Sequence, residues 1–318
     1  MLGICVLHCI TLGTKRAHPL AGLLMCCVPG FVFISGWFGI KFVPSKVLRL
    51  FGVGLFCSVV AVGINFLLGI APSADTYWKQ VVALWANGFW FLNAYIALMM
   101  LAPLVDVVVS LKDIGKMISY LLPLLILVFG WSYVCGSPVI HKLPWPQTAG
   151  MGSNTALTLL GVYAFGRICR VMRVDERLTI MHLLIVALIC VPLVMIGFGN
   201  YHSIFSSVLA MAAFVWVSRM NMPKWLSRII LFVAPSMFSV YLMHSTKYGF
   251  DLIEMLQDRV QLPLVLNAIV MGVIVFLFCV AVDFVRRIIL LVIDLKVVYS
   301  SFDNFYSKII EHCGKRFS

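Results

Sequence analysis

Ten apolar segments joined by short connections leave this chain one solvent to fold in, the hydrocarbon core of a bilayer. They lie near residues 1–13, 20–42, 47–70, 88–110, 116–135, 154–171, 179–198, 203–220, 227–245 and 263–285. Most approach the roughly 20 apolar residues that a crossing helix needs. With 62% hydrophobic residues, 11% charged residues and a mean hydropathy of +1.05, no stretch remains for a soluble domain of any size. Because hydrocarbon offers no hydrogen-bond partners to the backbone, segments of this kind fold as helices. The expected fold is an all-α polytopic bundle of about ten transmembrane helices over residues 1–285, with a basic, amphipathic cytoplasmic tail over 286–318.

The basic residues test that count. An even number of crossings puts both termini on one side, and Lys and Arg should concentrate on the cytoplasmic side. With the N-terminus inside, 18 of the 24 Lys and Arg fall on cytoplasmic segments and 6 on the outer ones. This predicts a multi-pass protein of the inner (plasma) membrane with both termini cytoplasmic. The net charge of +12 is then a set of helix ends facing anionic lipid, with no call for nucleic acid. The ten cysteines show neither a CxxC pair nor a Cys/His zinc spacing, so they read as small packing residues and no metal site is expected. Met1 is followed directly by apolar residues with no basic n-region, so no signal peptide is expected.

Against this background His8 is conspicuous, because an ionisable side chain inside an apolar run is costly and by default points to function. The alternative is a core histidine bonded to a neighbouring carbonyl. Lys46 and Arg49 begin the third segment at a spacing that sets both cations on one helix face, where they can anchor the helix to lipid or hold phosphates. Asn93 stands among Trp90, Phe91 and Tyr95, and its amide needs partners at bilayer depth. Asp106 and Asp283 lie near cytoplasmic helix ends, where pairing with neighbouring Lys or Arg is the simpler reading. Three outer loops carry most of the remaining polarity: 71–88 with Trp78, Val81, Val82 and Trp85; 135–154, rich in Pro, Gly and Trp; and 245–262, with Asp251, Glu254 and Asp258 along a helix, a solvated face being the simpler reading and contact with sugar hydroxyls the alternative.

Seven segments together resemble the membrane-bound acyltransferase 3 family: ICVLHCI, VPGFVFISGWF, KVLRLFG, FWFLNAYIALMMLAPL, LTLLGVYAFGRICR, NYHSIFSSVLAMAAFVWV and MFSVYLMHS, in the family's order over nearly the whole chain. The resemblance implies an O-acyltransferase that uses acyl-CoA, acetyl-CoA first, to modify a hydroxyl of a surface polysaccharide or its lipid-linked precursor, with no permanently bound cofactor. It makes His8 the catalytic base and gives Lys46, Arg49 and Arg167 to the acyl-CoA donor, the family's first arginine at this spacing being Lys46 here. Asn93, Tyr95, Tyr201 and His244 fall to the glycan or lipid-linked acceptor. Ser35 and Gly36 match a small-residue pair that lets helices approach closely, and Tyr163, Gly166 and Arg167 match the family's sixth-helix pattern, with Arg167 at the cytoplasmic end where it can serve lipid as well as phosphate. The family's first helix also carries an arginine eleven positions before the histidine. That position precedes Met1, so the expectation is either a start further upstream or a member that works without this arginine.

The chemistry suits imidazole, which can take the hydroxyl proton near neutral pH during attack on a thioester. No serine sits in a nucleophile elbow, so direct transfer is expected in preference to a covalent acyl-enzyme. A different class of function uses the same helices: a transporter or flippase that moves an acyl group or a lipid-linked glycan without making a bond.

Overall fold

The computed structural model describes residues 1–13, 18–69, 77–83, 89–111, 113–131, 156–198, 203–257, 260, 262–292 and 296–317, and every element among them is helical. The chain runs through α1 (Leu2–Gly13), α2 (Pro19–Leu24), α3 (Cys27–Phe38), α4 (Pro44–Leu67), α5 (Tyr77–Ala83) and α6 (Trp90–Val109). It continues through α7 (Ile114–Leu125), α8 (Ala156–Val171), α9 (Val174–Arg177), α10 (Ile180–Leu193) and α11 (Ile204–Ser218). The last third holds α12 (Lys224–Val233), α13 (Met237–His244), α14 (Lys247–Gln257), α15 (Leu264–Val292) and α16 (Lys296–Phe317). Among the described residues the ten expected segments lie largely on helix, but not all of these helices are long enough to cross a membrane. Five stretches are long and apolar enough to cross a membrane: Pro19–Phe38, Pro44–Leu67, Trp90–Val109, Lys224–His244 and Leu264–Leu291. The shorter apolar helices are Leu2–Gly13, Ile114–Gly130, Ile180–Ile196 and Ile204–Ser218.

Local chemistry sets the boundaries. Pro19 and Pro44 open α2 and α4 at positions where a missing N–H costs nothing. Asp113, Thr179 and Ser203 cap α7, α10 and α11 with side-chain oxygens. Pro123 and Pro192 each precede a switch to π-helix, at Ile126–Trp131 and Val194–Phe198, because a proline removes one bond from the ladder and the next turn widens. The segment expected to be continuous over 227–245 is broken by a 3-10 turn at Ala234–Ser236, which contains Pro235. The helix expected to end at 285 runs on to Val292.

The bundle has two halves. In one, α8 packs along α3 and α6, with α10 and α11 outside them. In the other, α1 lies along α15, and α13, α14 and α16 pack on α4. The α3–α8 crossing is made by glycines: a Cβ on Gly36 would strike the Tyr163 carbonyl, and one on Gly166 would strike the Phe33 carbonyl. Gly36, singled out from sequence for close approach, therefore serves backbone-to-backbone contact, and Gly166 joins it from the other helix. Beside this crossing, the Ile40 N–H donates to the Tyr163 hydroxyl (3.1 Å), which donates to Asp106 (3.0 Å), and Asp106 pairs with Arg167 at 2.8 Å. One chain of bonds thus ties the turn after α3 to α6 and α8.

The second half is pinned at Asp283 of α15, which is fully buried. It accepts from Ser239 of α13 (2.5 Å) and from Arg286 (2.7 Å), with Arg287 at 3.4 Å. The tail helix α16 is fixed to the start of α4, where the Ser45 N–H donates to Asp303 at 2.9 Å. A distant carboxylate thus meets an orphan N–H at the positive end of α4.

Two stability outcomes follow from the first half. Gly36→Val should lower thermal stability in detergent by about 1–3 kcal/mol or more, since neither backbone can yield. Gly52→Ala, with nothing within 4 Å of the added methyl, should not lower it. Tyr163→Phe should cost about 1–3 kcal/mol in the same melts by removing the hydroxyl from Asp106 and stranding the Ile40 N–H.

Candidate functional site

Two histidines from opposite ends of the chain meet in the interior of the bundle. His8 comes from the middle of α1, and His244 ends α13. Their rings lie 5.0 Å apart, centroid to centroid, at 43°. Phe250 of α14 closes the far side of His8 edge-on at 4.9 Å. The pair is held from three directions. α1 is buried along α15, Gln257 of α14 donates to the Cys9 carbonyl (2.9 Å), and α13 hangs from Asp283 through Ser239.

The polar atoms of the pair are the notable feature. His244 is 1% exposed, and its Nδ1 hydrogen-bonds the Val240 carbonyl one turn below. A carbonyl only accepts, so Nδ1 carries the hydrogen and Nε2 is left with a lone pair. Nε2 makes no hydrogen bond among the described residues, and neither does Nδ1 of His8. A buried polar atom without a partner costs roughly 1–3 kcal/mol, and two on neighbouring rings call for an explanation.

A column of aromatic rings leads from the pair toward the first turns of α4. Tyr241 touches His244 edge-on (6.2 Å), Phe91 lies 4.9 Å from Tyr241, and Tyr95 stacks on Phe91 at 5.7 Å and 23°. The column ends at a hydroxyl. Ser35 donates to the Phe31 carbonyl (3.1 Å), so its oxygen is free to accept from the Tyr95 hydroxyl at 3.2 Å. Phe91 and Tyr95 share one face of α6 by their spacing of four.

At that point the column meets a cavity of about 450 Å³ lined by Ser35, Tyr95, Gly39, Lys41, Lys46 and Arg49 among others. Lys46 and Arg49 are exposed along its rim, as the i, i+3 spacing predicted, and the Arg49 guanidinium also lies over the Tyr299 ring of α16 at 4.5 Å. Gly39 turns the rim with φ +79°, a backbone that glycine adopts readily.

The fold therefore brings His8 to His244, and Tyr95 to Lys46 and Arg49. Arg167 stands apart, beside Gly39 but compensated by Asp106. Asn93 lies on the exposed side of α6, opposite Phe91 and Tyr95. Tyr201, with Asn200 and His202, lies outside the described residues, as do Trp85, Asp258 and the loop over 135–154. Sequence reasoning missed Phe250, Tyr241 as a link in the column, and the capping role of Asp303. None carries a local signal: α14 read as a solvated acidic helix, yet its other face carries Phe250 and the buried Ile253 inward.

No curated protein and no solved structure matches the chain. A family model does: residues 1–284 match the acyltransferase domain of the acyltransferase 3 family. With so much of its length matched, the chain belongs to the acyltransferase 3 family and is a multi-pass membrane acyltransferase.

Proposed function

We propose that this protein transfers an acyl group, acetyl first, from cytoplasmic acyl-CoA to a hydroxyl of a surface polysaccharide or its lipid-linked precursor, from a plasma membrane crossed ten times with both termini inside. The observation that carries the reading is the meeting of two imidazoles, His244 buried and His8 half-buried, each with a buried nitrogen lacking a hydrogen-bond partner among the described residues, at the end of an aromatic column that begins in a cation-rimmed cavity. Lys46 and Arg49 hold the donor's phosphates at the rim. The acyl arm extends past Tyr95 along the column.

His8 takes the hydroxyl proton as the acceptor oxygen attacks the thioester carbonyl, and returns it to the departing thiolate. The bare Nε2 of His244 is a fixed acceptor that orients the hydroxyl, or holds the His8 ring in one tautomer. An apolar surround suits this chemistry, since it keeps water from competing with the acceptor.

The test is CoA release by purified protein in the presence of acceptor glycolipid extract, followed chromatographically. His8→Ala should lower acceptor-dependent release about 100- to 10,000-fold, the range for loss of a general base, with an unchanged thermal melt. Lys46→Glu with Arg49→Glu should raise the KM for acyl-CoA at least about tenfold while leaving kcat near wild type, because charge at the rim acts on binding alone. Substrate movement across vesicles that survives His8→Ala, with no CoA released by either protein, would establish the transporter reading instead.

A further inference from the structure

A second cavity lies against His244, at the opposite end of α4 from the cation-rimmed one. It encloses about 240 Å³ between Ala61 and Asn65 of α4, Ile253 and Leu256 of α14, and Val275 and Cys279 of α15. Of the lining side chains, only His244 and Asn65 carry nitrogen or oxygen, and the Asn65 amide is turned back to donate to the Ala61 carbonyl at 2.9 Å. The inner end is deeply buried, with Ile253 at 1% and Cys279 at 2% exposure. The outer end is not: Leu68, Ile274 and Phe278 line the same cavity at 49%, 47% and 42% exposure. All three are apolar, and they sit on or directly after the two helices that most clearly qualify as membrane crossings. The opening is therefore lateral, between α4 and α15, and it faces hydrocarbon.

We propose that this slot receives the hydrocarbon chain of a membrane lipid that bears the acceptor, so that the hydroxyl reaches the histidine pair on a lipid carrier and not on a free polysaccharide. A water-soluble ligand would find nothing polar at the mouth, whereas a lipid chain leaves one apolar environment for another. The size fits, since a dry cavity of about 150 Å³ already accepts a benzene-sized guest, so this one has room for roughly six to eight methylenes. The donor has its own entrance. Lys46 on the rim of the first cavity and Ala61 in the second are fifteen residues apart, about 22 Å of helix, so the two ligands approach from opposite ends of α4.

The inference rests on the acyltransferase reading for the role of the headgroup, but occupancy of the slot can be read without turnover. Full-length protein is reconstituted in phosphatidylethanolamine vesicles containing phosphatidylglycerol with a diazirine midway along one acyl chain, irradiated, and mapped by peptide mass spectrometry. Adducts are expected on the buried Ile253 and Cys279 as well as on the bilayer-facing Leu266 and Leu277. Ala61→Phe, and independently Leu256→Trp from the opposite wall, should abolish the first pair of adducts and keep the second, which also reports that each variant is folded. Adducts confined to Leu266 and Leu277 in the wild type, or adducts at Ile253 that persist in both variants, would overturn the proposal. So would labelling of Ile253 by diazirine-tailed octanoyl-CoA with none by the lipid, which would give the slot to the donor. Any of these results combined with His8-dependent CoA release removes the slot proposal and leaves the enzyme reading standing.

Discussion

Hydrocarbon supplies no hydrogen bonds, and this constraint organises the interior of the protein. Its two buried or half-buried carboxylates on α15 and α6 are each met by a cation and by a hydroxyl from another helix. Asp283 collects Ser239, Arg286 and Arg287, while Asp106 collects Tyr163 and Arg167. Each cluster does a mechanical job, one fixing α13 to α15 and the other fixing α3, α6 and α8 around a crossing too tight for a Cβ. His8 and His244 break the pattern. They are held in place by those clusters and by Gln257, yet Nδ1 of one and Nε2 of the other have no hydrogen-bond partner among the described residues. The two carboxylates have cations beside them, whereas the two imidazoles at the end of the aromatic column have only each other and aromatic rings.

Much of this was legible in the sequence, for reasons that differ by residue. The ten segments declared themselves because an apolar run has only the helix to adopt, and His8 stood out because nothing else in its run is ionisable apart from its cysteines. The role of Gly36 followed from a small-residue pair in its matching segment, while that of Gly166 came only with the fold. Their mutual contact was not legible there, because it joins α3 to α8 across more than a hundred residues. Non-local pairing also hid the meeting of His8 with His244 and the reach of Asp303 to Ser45. α14 was misleading in a different way. Asp251 and Glu254 suggested a solvated helix, but its apolar face supplies both the ring against His8 and one wall of the lateral cavity. Arg167 carried an expected role at the donor phosphates, and the fold sets it against Asp106, a partner that no local spacing announces.

α4 emerges as the element that relates one part of the site to the other. Its first turns carry Lys46 and Arg49, and its last turns carry the apolar wall beside His244. The tail helix α16 reaches the same first turns, through Asp303 to the Ser45 N–H and through Tyr299 beneath the Arg49 guanidinium. A cation stacked on an aromatic ring keeps its charge while losing freedom, so α16 helps to aim Arg49 without neutralising it. The tail thus makes specific contacts beside the cation-rimmed cavity.

The depth of the histidine pair carries a further consequence. A thioester in contact with water and an imidazole base is open to hydrolysis, so an acyltransferase gains from placing its base where only the acceptor's hydroxyl can arrive. Here the base candidate lies among α1, α13, α14 and α15, with aromatic rings toward the cation-rimmed cavity and an apolar slot between α4 and α15. Neither approach is an open water channel by its lining: one is a stack of rings and the other is hydrocarbon-walled. A donor with a long flexible arm can pass the first, and an acceptor on a lipid chain can use the second. The same two linings disfavour water on both routes, which makes selectivity for transfer over hydrolysis a property of the walls as much as of the histidines.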